Sequence, residues 1–197
     1  MILKIGPLTN LQDARYSAAV GMNLVSFSLA RGDHRKLSAA TVWNIAQWLE
    51  GPELVLEMNI ASLEELDGLG VDPRYLVLPF EEFEPALFNY CPAIMLKTGQ
   101  EVSPETIQAM VNEAEQSGFE LKFEISLDET ADPESWEAVA GHVLFHFPGL
   151  EKADAFIAKP SVNVFGLAFG EEAEEEPQVL HYEMLDDIAA RFTDVHL

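Results

Sequence analysis

The sequence predicts an α/β protein that folds as a small (β/α)8 barrel. Short apolar runs alternate with helical patterns eight times along the 197 residues. The runs begin roughly 20 to 30 residues apart, which leaves room in each unit for one strand, one helix and two short loops. Most runs are continuously apolar, as is typical of parallel strands buried on both faces. Eight such units favour a closed barrel over an open doubly wound sheet, and we expect a single domain that spans residues 1–197.

Eight segments carry the strand pattern. In chain order they are 2–6, 24–29, 53–58, 75–79, 93–97, 120–125, 142–147 and 162–166. The first of them is not followed by a Gly-x-Gly-x-x-Gly sequence, which argues against a dinucleotide-binding fold.

Residues that cap helices recur between the strands. We expect N-caps at Asn10, Ser38, Ser62, Ser103 and Asp132. Proline follows the last two of these residues, at the first helical position. Glu65 completes a Ser-x-x-Glu capping box with Ser62. The acidic run at 171–177 is expected to be a solvated loop before a last helix at about 181–192.

The charge and the cysteine content exclude several classes of function. Eleven Lys and Arg stand against 34 Asp and Glu, for a net charge of −23, which argues against binding nucleic acid or an anionic membrane. No apolar run approaches the roughly 18 residues of a membrane span. The single cysteine, Cys91, excludes an intramolecular disulfide, and the N-terminus lacks the pattern of a signal peptide. We therefore expect a cytoplasmic protein with an acidic surface.

Three charged residues lie in otherwise apolar strands and are candidates for a site. In a (β/α)8 barrel the active site forms where the strands end, and Glu57, Lys97 and Glu124 lie near those ends. Buried charges are costly unless they are paired, so the three side chains could meet in the barrel mouth, although sequence alone does not show whether they converge. A lysine between two carboxylates would stay charged and keep both ionised. A purely structural ion cluster is the alternative.

Other kinds of chemistry leave weaker signals. The five histidines show no His-x-x-x-His or His-Glu-x-x-His spacing, and we expect neither a metal nor a cofactor. His146 ends the seventh strand and is a candidate to line the mouth. Ser28 or Ser126 could act as a nucleophile only beside a histidine base and an orienting carboxylate, and sequence alone does not place such partners.

Residues 4–9 carry a resemblance to a known family. Their sequence, Lys-Ile-Gly-Pro-Leu-Thr, resembles the Lys-Ile-Cys-Gly-Ile-Thr first strand of phosphoribosylanthranilate isomerases, the small barrel enzymes of tryptophan biosynthesis. The resemblance extends over nearly the whole chain. Residues 33–38 are similar to the Ser-Pro-Arg-Tyr-Val-Ser segment after strand two, residues 119–124 to the sixth strand, and residues 133–136 to the Phe-Asp-Trp helix start that follows.

The resemblance implies roles for individual residues. Arg35 would bind the anthranilate carboxylate, and Asn59 and Lys97 match polar residues at the ends of strands three and five. Glu124 matches the aspartate that serves as general acid. Gly6 stands where the family has its cysteine general base, so the side chain of the base is lost.

The phosphate site implied by the resemblance is also altered. The family holds phosphate on backbone N–H groups of Gly-Gly after strand seven and Ser-Gly after strand eight. The matching segments here are Pro148-Gly149 and Phe165-Gly166-Leu167. Proline lacks an N–H donor and phenylalanine fills space, so the phosphate site is expected to be eroded.

These observations together predict an isomerase-like barrel protein whose Amadori isomerase activity is lost or weak. We expect a small-molecule ligand at the mouth and a monomer or homodimer. One alternative is an active phosphoribosylanthranilate isomerase in which His146 or Glu57 replaces the base. The other is a non-catalytic binding module that contacts a basic partner through an acidic rim.

Overall fold

The computed structural model of the protein is a closed barrel of eight parallel strands, the (β/α)8 or TIM barrel that the sequence predicts. It describes residues 1–68, 70, 72–127, 133–147, 150–157, 165–170, 174–176 and 179–192. The barrel strands are β1 (Ile2–Ile5), β2 (Leu24–Ser28), β3 (Glu53–Glu57), β4 (Tyr75–Pro79), β5 (Ala93–Gly99), β6 (Glu120–Ser126), β7 (Val143–His146) and β8 (Gly166–Phe169). Each strand pairs in parallel with the next, and β8 pairs with β1 to close the barrel.

Helical segments cover the outside of the barrel. The α-helices are α1 (Leu11–Ala19), α2 (Ala39–Ala46), α3 (Pro104–Gln116), α4 (Leu150–Ile157) and α5 (Tyr182–Phe192). Segments of 3-10 helix connect the strands elsewhere, at Ile60–Gly68, Phe80–Glu82, Pro85–Asn89 and Pro133–His142. Among the described residues, no helix combines the length and the apolar composition needed to cross a membrane.

Three of the predicted helix caps are confirmed. Asn10, Ser38 and Ser103 each accept a hydrogen bond on the side-chain oxygen from the backbone N–H three residues later. Each of these bonds satisfies a donor that the first turn of a helix would otherwise leave unpaired. The prediction at Asp132 lies outside the described residues.

The capping box predicted at Ser62 and Glu65 is wrong. The Ser62 hydroxyl donates 2.9 Å hydrogen bonds to the backbone carbonyl oxygen and the side-chain Oδ1 of Asn59, and Glu65 instead pairs with Lys36. Ser62 therefore closes a turn onto the end of β3, and the segment that contains it is a 3-10 helix. Serine side chains readily bond to nearby backbone in this way, which competes with helix capping.

The eighth strand begins four residues later and ends three residues later than predicted. Gly166, placed at the end of a strand 162–166, is instead the first residue of β8, paired with Ile2, and Phe169 is the last, paired with Ile5. A Cβ atom on residue 166 would lie 2.1 Å from the Ile2 carbonyl oxygen, so this contact requires glycine. Two neighbouring apolar runs compete for the strand, and the close contact with β1 selects the second.

Two tyrosines connect the last helix, α5, to the first helix, α1. The rings of Tyr16 on α1 and Tyr182 on α5 stack with their centroids 4.2 Å apart. Each hydroxyl donates a 2.7 Å hydrogen bond to a carboxylate on the opposite helix, Tyr16 to Asp186 and Tyr182 to Asp13. These contacts hold α5 over the closure between β8 and β1.

Part of the predicted loop at 171–177 is ordered structure. Glu174–Glu176 form a short strand, β9, which pairs antiparallel with β10 (Val179–Leu180). The sequence pattern missed this hairpin because a run of glutamates disfavours a strand. Antiparallel pairing with the next few residues supplies the backbone hydrogen bonds.

Candidate functional site at the barrel mouth

A cavity of about 280 Å³ opens at the carboxyl ends of the strands. It is lined by six of the predicted site residues: Gly6, Arg35, Glu57, Lys97, Glu124 and His146. The lining also includes Asp33, His34, Ser126 and Gly170. This is the end of the barrel at which (β/α)8 proteins build their sites.

Four charged side chains form a closed cluster on the floor of this cavity, which we call the ion-pair quartet: Lys4, Glu57, Lys97 and Glu124. Lys4 Nζ lies 2.9 Å from Glu57 Oε1 and 2.9 Å from Glu124 Oε2. Lys97 Nζ lies 2.9 Å from Glu57 Oε2 and 3.4 Å from Glu124 Oε1. The predicted meeting of Glu57, Lys97 and Glu124 is confirmed, and Lys4 is a fourth member that the sequence analysis did not include.

The quartet is buried and carries no net formal charge. Lys4 is completely buried, and Glu57 and Glu124 are 8% and 3% exposed. Only Lys97 reaches the cavity substantially, with 41% of its side chain exposed. Two ammonium groups therefore balance two carboxylates where the cost of an unpaired charge would be high.

The quartet keeps both glutamates ionised. Burial by itself would raise the pKa of Glu57, but the charges of Lys4 and Lys97 outweigh it and hold the pKa well below its ordinary value. The pKa of Glu124 is also lowered, because the charges of Lys4 and Lys97 lower it by more than burial raises it. Glu124 raises the pKa of Lys97 in turn. At neutral pH Glu124 therefore has no proton to donate.

The space beside Gly6 is occupied by Ser26. Gly6 has a φ of +125°, a backbone conformation that side-chain-bearing residues rarely adopt. A Cβ atom there would lie 2.5 Å from Ser26 Oγ and 2.7 Å from the Ser26 carbonyl oxygen. Ser26 Oγ in turn donates a 2.7 Å hydrogen bond to Glu57 Oε1. The position that a side chain at residue 6 would take is thus filled by a group that hydrogen-bonds to the quartet.

Arg35 lies on the loop after β2, on one side of the cavity. It is 5% exposed, and its backbone N–H donates a 2.9 Å hydrogen bond to Asp33 Oδ1. The loop is tied back to the barrel by a 2.8 Å hydrogen bond from the Leu37 N–H to the Ser28 carbonyl oxygen. Arg35 is therefore held in place at the mouth, and the prediction that it binds a ligand stays a prediction.

Asn59 supports the same loop from β3. Its Oδ1 accepts a 3.2 Å hydrogen bond from the Arg31 N–H, and its Nδ2 donates a 3.0 Å hydrogen bond to the Arg31 carbonyl oxygen. Among the described residues, those that line the cavity do not include Asn59. Asn59 therefore positions the loop that carries Arg35.

His146 and Ser126 lie side by side where β6 and β7 end. The two residues are register partners, and Ser126 Oγ lies 3.4 Å from His146 Nδ1. The Leu127 N–H donates a 2.9 Å hydrogen bond to the His146 carbonyl oxygen, which holds the two strand ends together. This pair lies outside the quartet.

The two glycines assigned to a phosphate site have different outcomes. Gly149 lies outside the described residues. Gly166 begins β8, at the end of the barrel opposite the mouth, so its predicted place at the site is wrong. Gly170, which follows β8, is the glycine that lines the cavity. The misplaced strand explains the error, because a strand at 166–169 would have pointed to Gly170.

Sequence analysis did not assign Lys4 and Ser26 to the site, although each had a signal. Lys4 interrupts the apolar run Ile2–Ile5, and Ser26 interrupts Leu24–Phe27. A polar side chain that points into the barrel from a buried strand requires a partner across the barrel.

Metal binding has no support in the described part of the chain. Within the described ranges, no group of three or more His, Cys, Asp or Glu is arranged to hold an ion.

Comparison with known proteins adds to this geometry. No protein-family model matches the chain, and no curated protein matches it in sequence. Solved structures do match it. In fold, the chain is similar to phosphoribosylanthranilate isomerases.

The similarity covers the whole barrel at low sequence identity. The isomerase of Thermotoga maritima matches with a TM-score of 0.76 and 17% identity, over 99% of this chain and 100% of that one. The isomerase of Thermus thermophilus matches with a TM-score of 0.72 and 19% identity, over 100% of both chains. A phosphoribosylanthranilate isomerase in complex with reduced 1-(o-carboxyphenylamino)-1-deoxyribulose 5-phosphate matches with a TM-score of 0.73 and 20% identity, over 99% of this chain and 100% of that one.

Proposed function

We propose that the protein is a divergent relative of the phosphoribosylanthranilate isomerases that binds a small molecule at the barrel mouth and has lost most or all isomerase activity. The relationship is supported by the residue matches along the chain and by the common fold. The loss of activity is inferred from the ion-pair quartet together with the Ser26 atoms that fill the space beside Gly6.

The acid step lacks a proton donor at the position that the family implies. A general acid must be protonated in the resting enzyme, and its pKa is best placed near the working pH. Glu124 is 2.9 Å from Lys4 and 3.4 Å from Lys97, which favour its ionised form. Donating a proton from this carboxyl would require the quartet to be disrupted first.

The base step lacks both the side chain and the space for one. Gly6 has no group that can accept a proton, and Ser26 atoms fill the volume into which a larger residue would extend. Loss of a general base commonly reduces a rate by about 10²- to 10⁴-fold. On this proposal the protein lacks a working general acid at Glu124 and a general base at Gly6.

Phosphate binding is disfavoured by charge. The protein carries a net charge of −23, which opposes the approach of a dianion. The lysines of the quartet are already balanced by its carboxylates, so they add no net positive charge to the mouth. We infer that the ligand lacks a phosphate group.

The direct test is steady-state turnover of phosphoribosylanthranilate, with the Thermotoga maritima isomerase as the positive control. We expect turnover below about one hundredth of ordinary enzyme rates. Turnover above that level would overturn the proposal that activity is lost. A thermal-shift titration with anthranilate and with inorganic phosphate tests the ligand class, and stabilisation by phosphate alone would contradict a non-phosphorylated ligand.

An active isomerase with a substitute base is the second candidate. His146 favours it, because this residue lines the cavity and histidine accepts protons near neutral pH. On this hypothesis the gene would restore growth to a tryptophan auxotroph, and Glu124→Gln would abolish the rescue. Absence of growth with the wild-type gene would exclude it.

A binding module with an acidic rim remains the third candidate. It would bind a basic partner in a salt-sensitive manner, because screening shortens the range of surface charges to about 8 Å at physiological ionic strength. A pull-down whose yield is unchanged between low and high salt would contradict it. The protein would be a monomer or homodimer in each case, which sedimentation measures.

A further inference from the structure

Ser126 and His146 form a side-chain pair to which the loss of isomerase activity proposed above assigns no role. They end the neighbouring strands β6 and β7 and both line the mouth cavity. Ser126 lies two residues after Glu124, so its side chain has the same inward parity. Ser126 is exposed and His146 is partly buried, so a ligand in the cavity can reach the serine.

The geometry supplies two of the three groups named above for a serine nucleophile, the hydroxyl and the histidine base. Ser126 Oγ lies 3.4 Å from His146 Nδ1, and such contacts are often longer in unliganded sites than in complexes. When the ring proton is on Nε2, Nδ1 has a lone pair that accepts the hydroxyl proton. Ser28 is different, because it is fully buried and its Oγ accepts a hydrogen bond from the Ala30 N–H.

The cavity that holds this pair is also lined by residues with N–H donors. Lys97 and Arg35 line the same cavity. The Lys97 ammonium has three N–H donors, of which the carboxylates of Glu57 and Glu124 engage two. Cations placed next to a developing oxyanion stabilise it most effectively in a site that excludes water.

We propose that Ser126 is a nucleophile activated by His146 and that the mouth cavity hydrolyses small carboxylic esters. Ser126 Oγ bonds to the acyl carbon while its proton passes to His146 Nδ1. The bond from the acyl carbon to the ester oxygen breaks, and the leaving alkoxide takes the proton from Nδ1. Water then attacks the acyl carbon while His146 Nδ1 accepts its proton. The bond from the acyl carbon to Ser126 Oγ breaks and Oγ takes the proton from Nδ1, which releases the carboxylic acid and restores the serine. The net reaction converts an ester and water into an acid and an alcohol.

The test uses p-nitrophenyl acetate with the full chain. We expect release of p-nitrophenol above the spontaneous rate, and peptide mass spectrometry of briefly treated protein should find acetyl on Ser126. Ser126→Ala should abolish the enzymatic release, and His146→Gln should reduce it by about 10²-fold. Ser117→Ala is the matched control, because Ser117 is an exposed serine after α3, away from the mouth.

Two results would overturn the proposal. One is acetyl found only on lysines or the amino terminus, and the other is release by Ser126→Ala equal to that of the wild type. Circular dichroism of each variant separates loss of chemistry from loss of fold. The isomerase assay is independent of this measurement, so either hypothesis can fail while the other stands.

Discussion

Lys4 on β1 and Glu124 on β6 contact each other across the interior of the barrel, with Nζ and Oε2 2.9 Å apart. The two strands are not neighbours, so this ion pair links opposite sides of the barrel wall. Lys4 also bonds Glu57 on β3. One buried lysine therefore connects three strands, and the charges at the mouth depend on it.

Replacing Lys4 with methionine should destabilise the protein strongly. The variant leaves two buried carboxylates with only Lys97, and removing one partner of a buried pair typically costs about 3–5 kcal/mol. Urea unfolding followed by circular dichroism gives the change in the free energy of unfolding. Lys97→Met is the comparison, and it should cost less because the Lys97 side chain is 41% exposed. Equal losses for both variants would contradict a special role for Lys4.

Adding a methyl group at Gly6 should be far more costly than adding one at Gly32. Both glycines have positive φ, +125° and +94°, so both variants incur backbone strain of about 1–2 kcal/mol. Gly32 has open space around the added atom, whereas Gly6 meets two atoms of Ser26. We therefore expect Gly6→Ala to unfold at lower urea concentration than Gly32→Ala.

Placing at residue 6 the cysteine that the proposed relationship to the isomerases implies should not give isomerase activity. Gly6→Cys would introduce the same clash, and one of the two obstructing atoms is the backbone carbonyl oxygen of Ser26. Removing the hydroxyl in Gly6→Cys/Ser26→Gly leaves that carbonyl in place. Isomerase turnover should stay at the level of the parent protein in both variants, and an increase of tenfold or more would show that the mouth is less altered than proposed.

Acid should destabilise the protein through the quartet. In the native protein the pKa values of Glu57 and Glu124 lie below the ordinary value for glutamate, which is about 4.3 in an unfolded chain. Below that pH the unfolded chain binds more protons than the native protein, so stability present at neutral pH falls as the pH falls. Urea unfolding at pH 7, 5 and 3 measures the slope. Glu57→Gln should flatten it, whereas Glu64→Gln, in an exposed pair with Arg31, should not.

Loss of the Asn59 amide should loosen the loop that carries Arg35. Asn59→Ala removes both hydrogen bonds to Arg31, and we expect faster amide hydrogen exchange over residues 31–37. Asn112→Ala, which removes an amide on the exposed face of α3, should leave that exchange unchanged. Unchanged exchange in Asn59→Ala would mean that other contacts hold the loop.

The barrel could be predicted from sequence because parallel strands buried on both faces leave an unambiguous apolar pattern. Strands β1 to β7 lie within two residues of their expected ends. The prediction of the eighth strand failed because residues 162–165, apart from Asn163, and residues 167–169 are all apolar. The close approach of Gly166 to Ile2 favours the second segment. Such a contact between distant residues has no local signature.

The site was predictable in composition but not in geometry. Charges within apolar strands identified Glu57, Lys97 and Glu124, because burial demands partners. Sequence could not show that Ser26 fills the space beside Gly6, since Gly6 follows β1 and Ser26 lies on β2. It also could not pair Ser126 with His146, whose proximity follows from the register of β6 and β7.

The quartet also limits the routes by which the mouth can evolve. Each member has two partners of opposite charge, so replacing any one by a neutral residue leaves a net charge in the barrel interior. Stepwise substitution would pass through destabilised intermediates, whereas coordinated replacement of a lysine and a glutamate would keep the interior neutral. Descendants of this protein should therefore retain all four residues or exchange them in oppositely charged pairs.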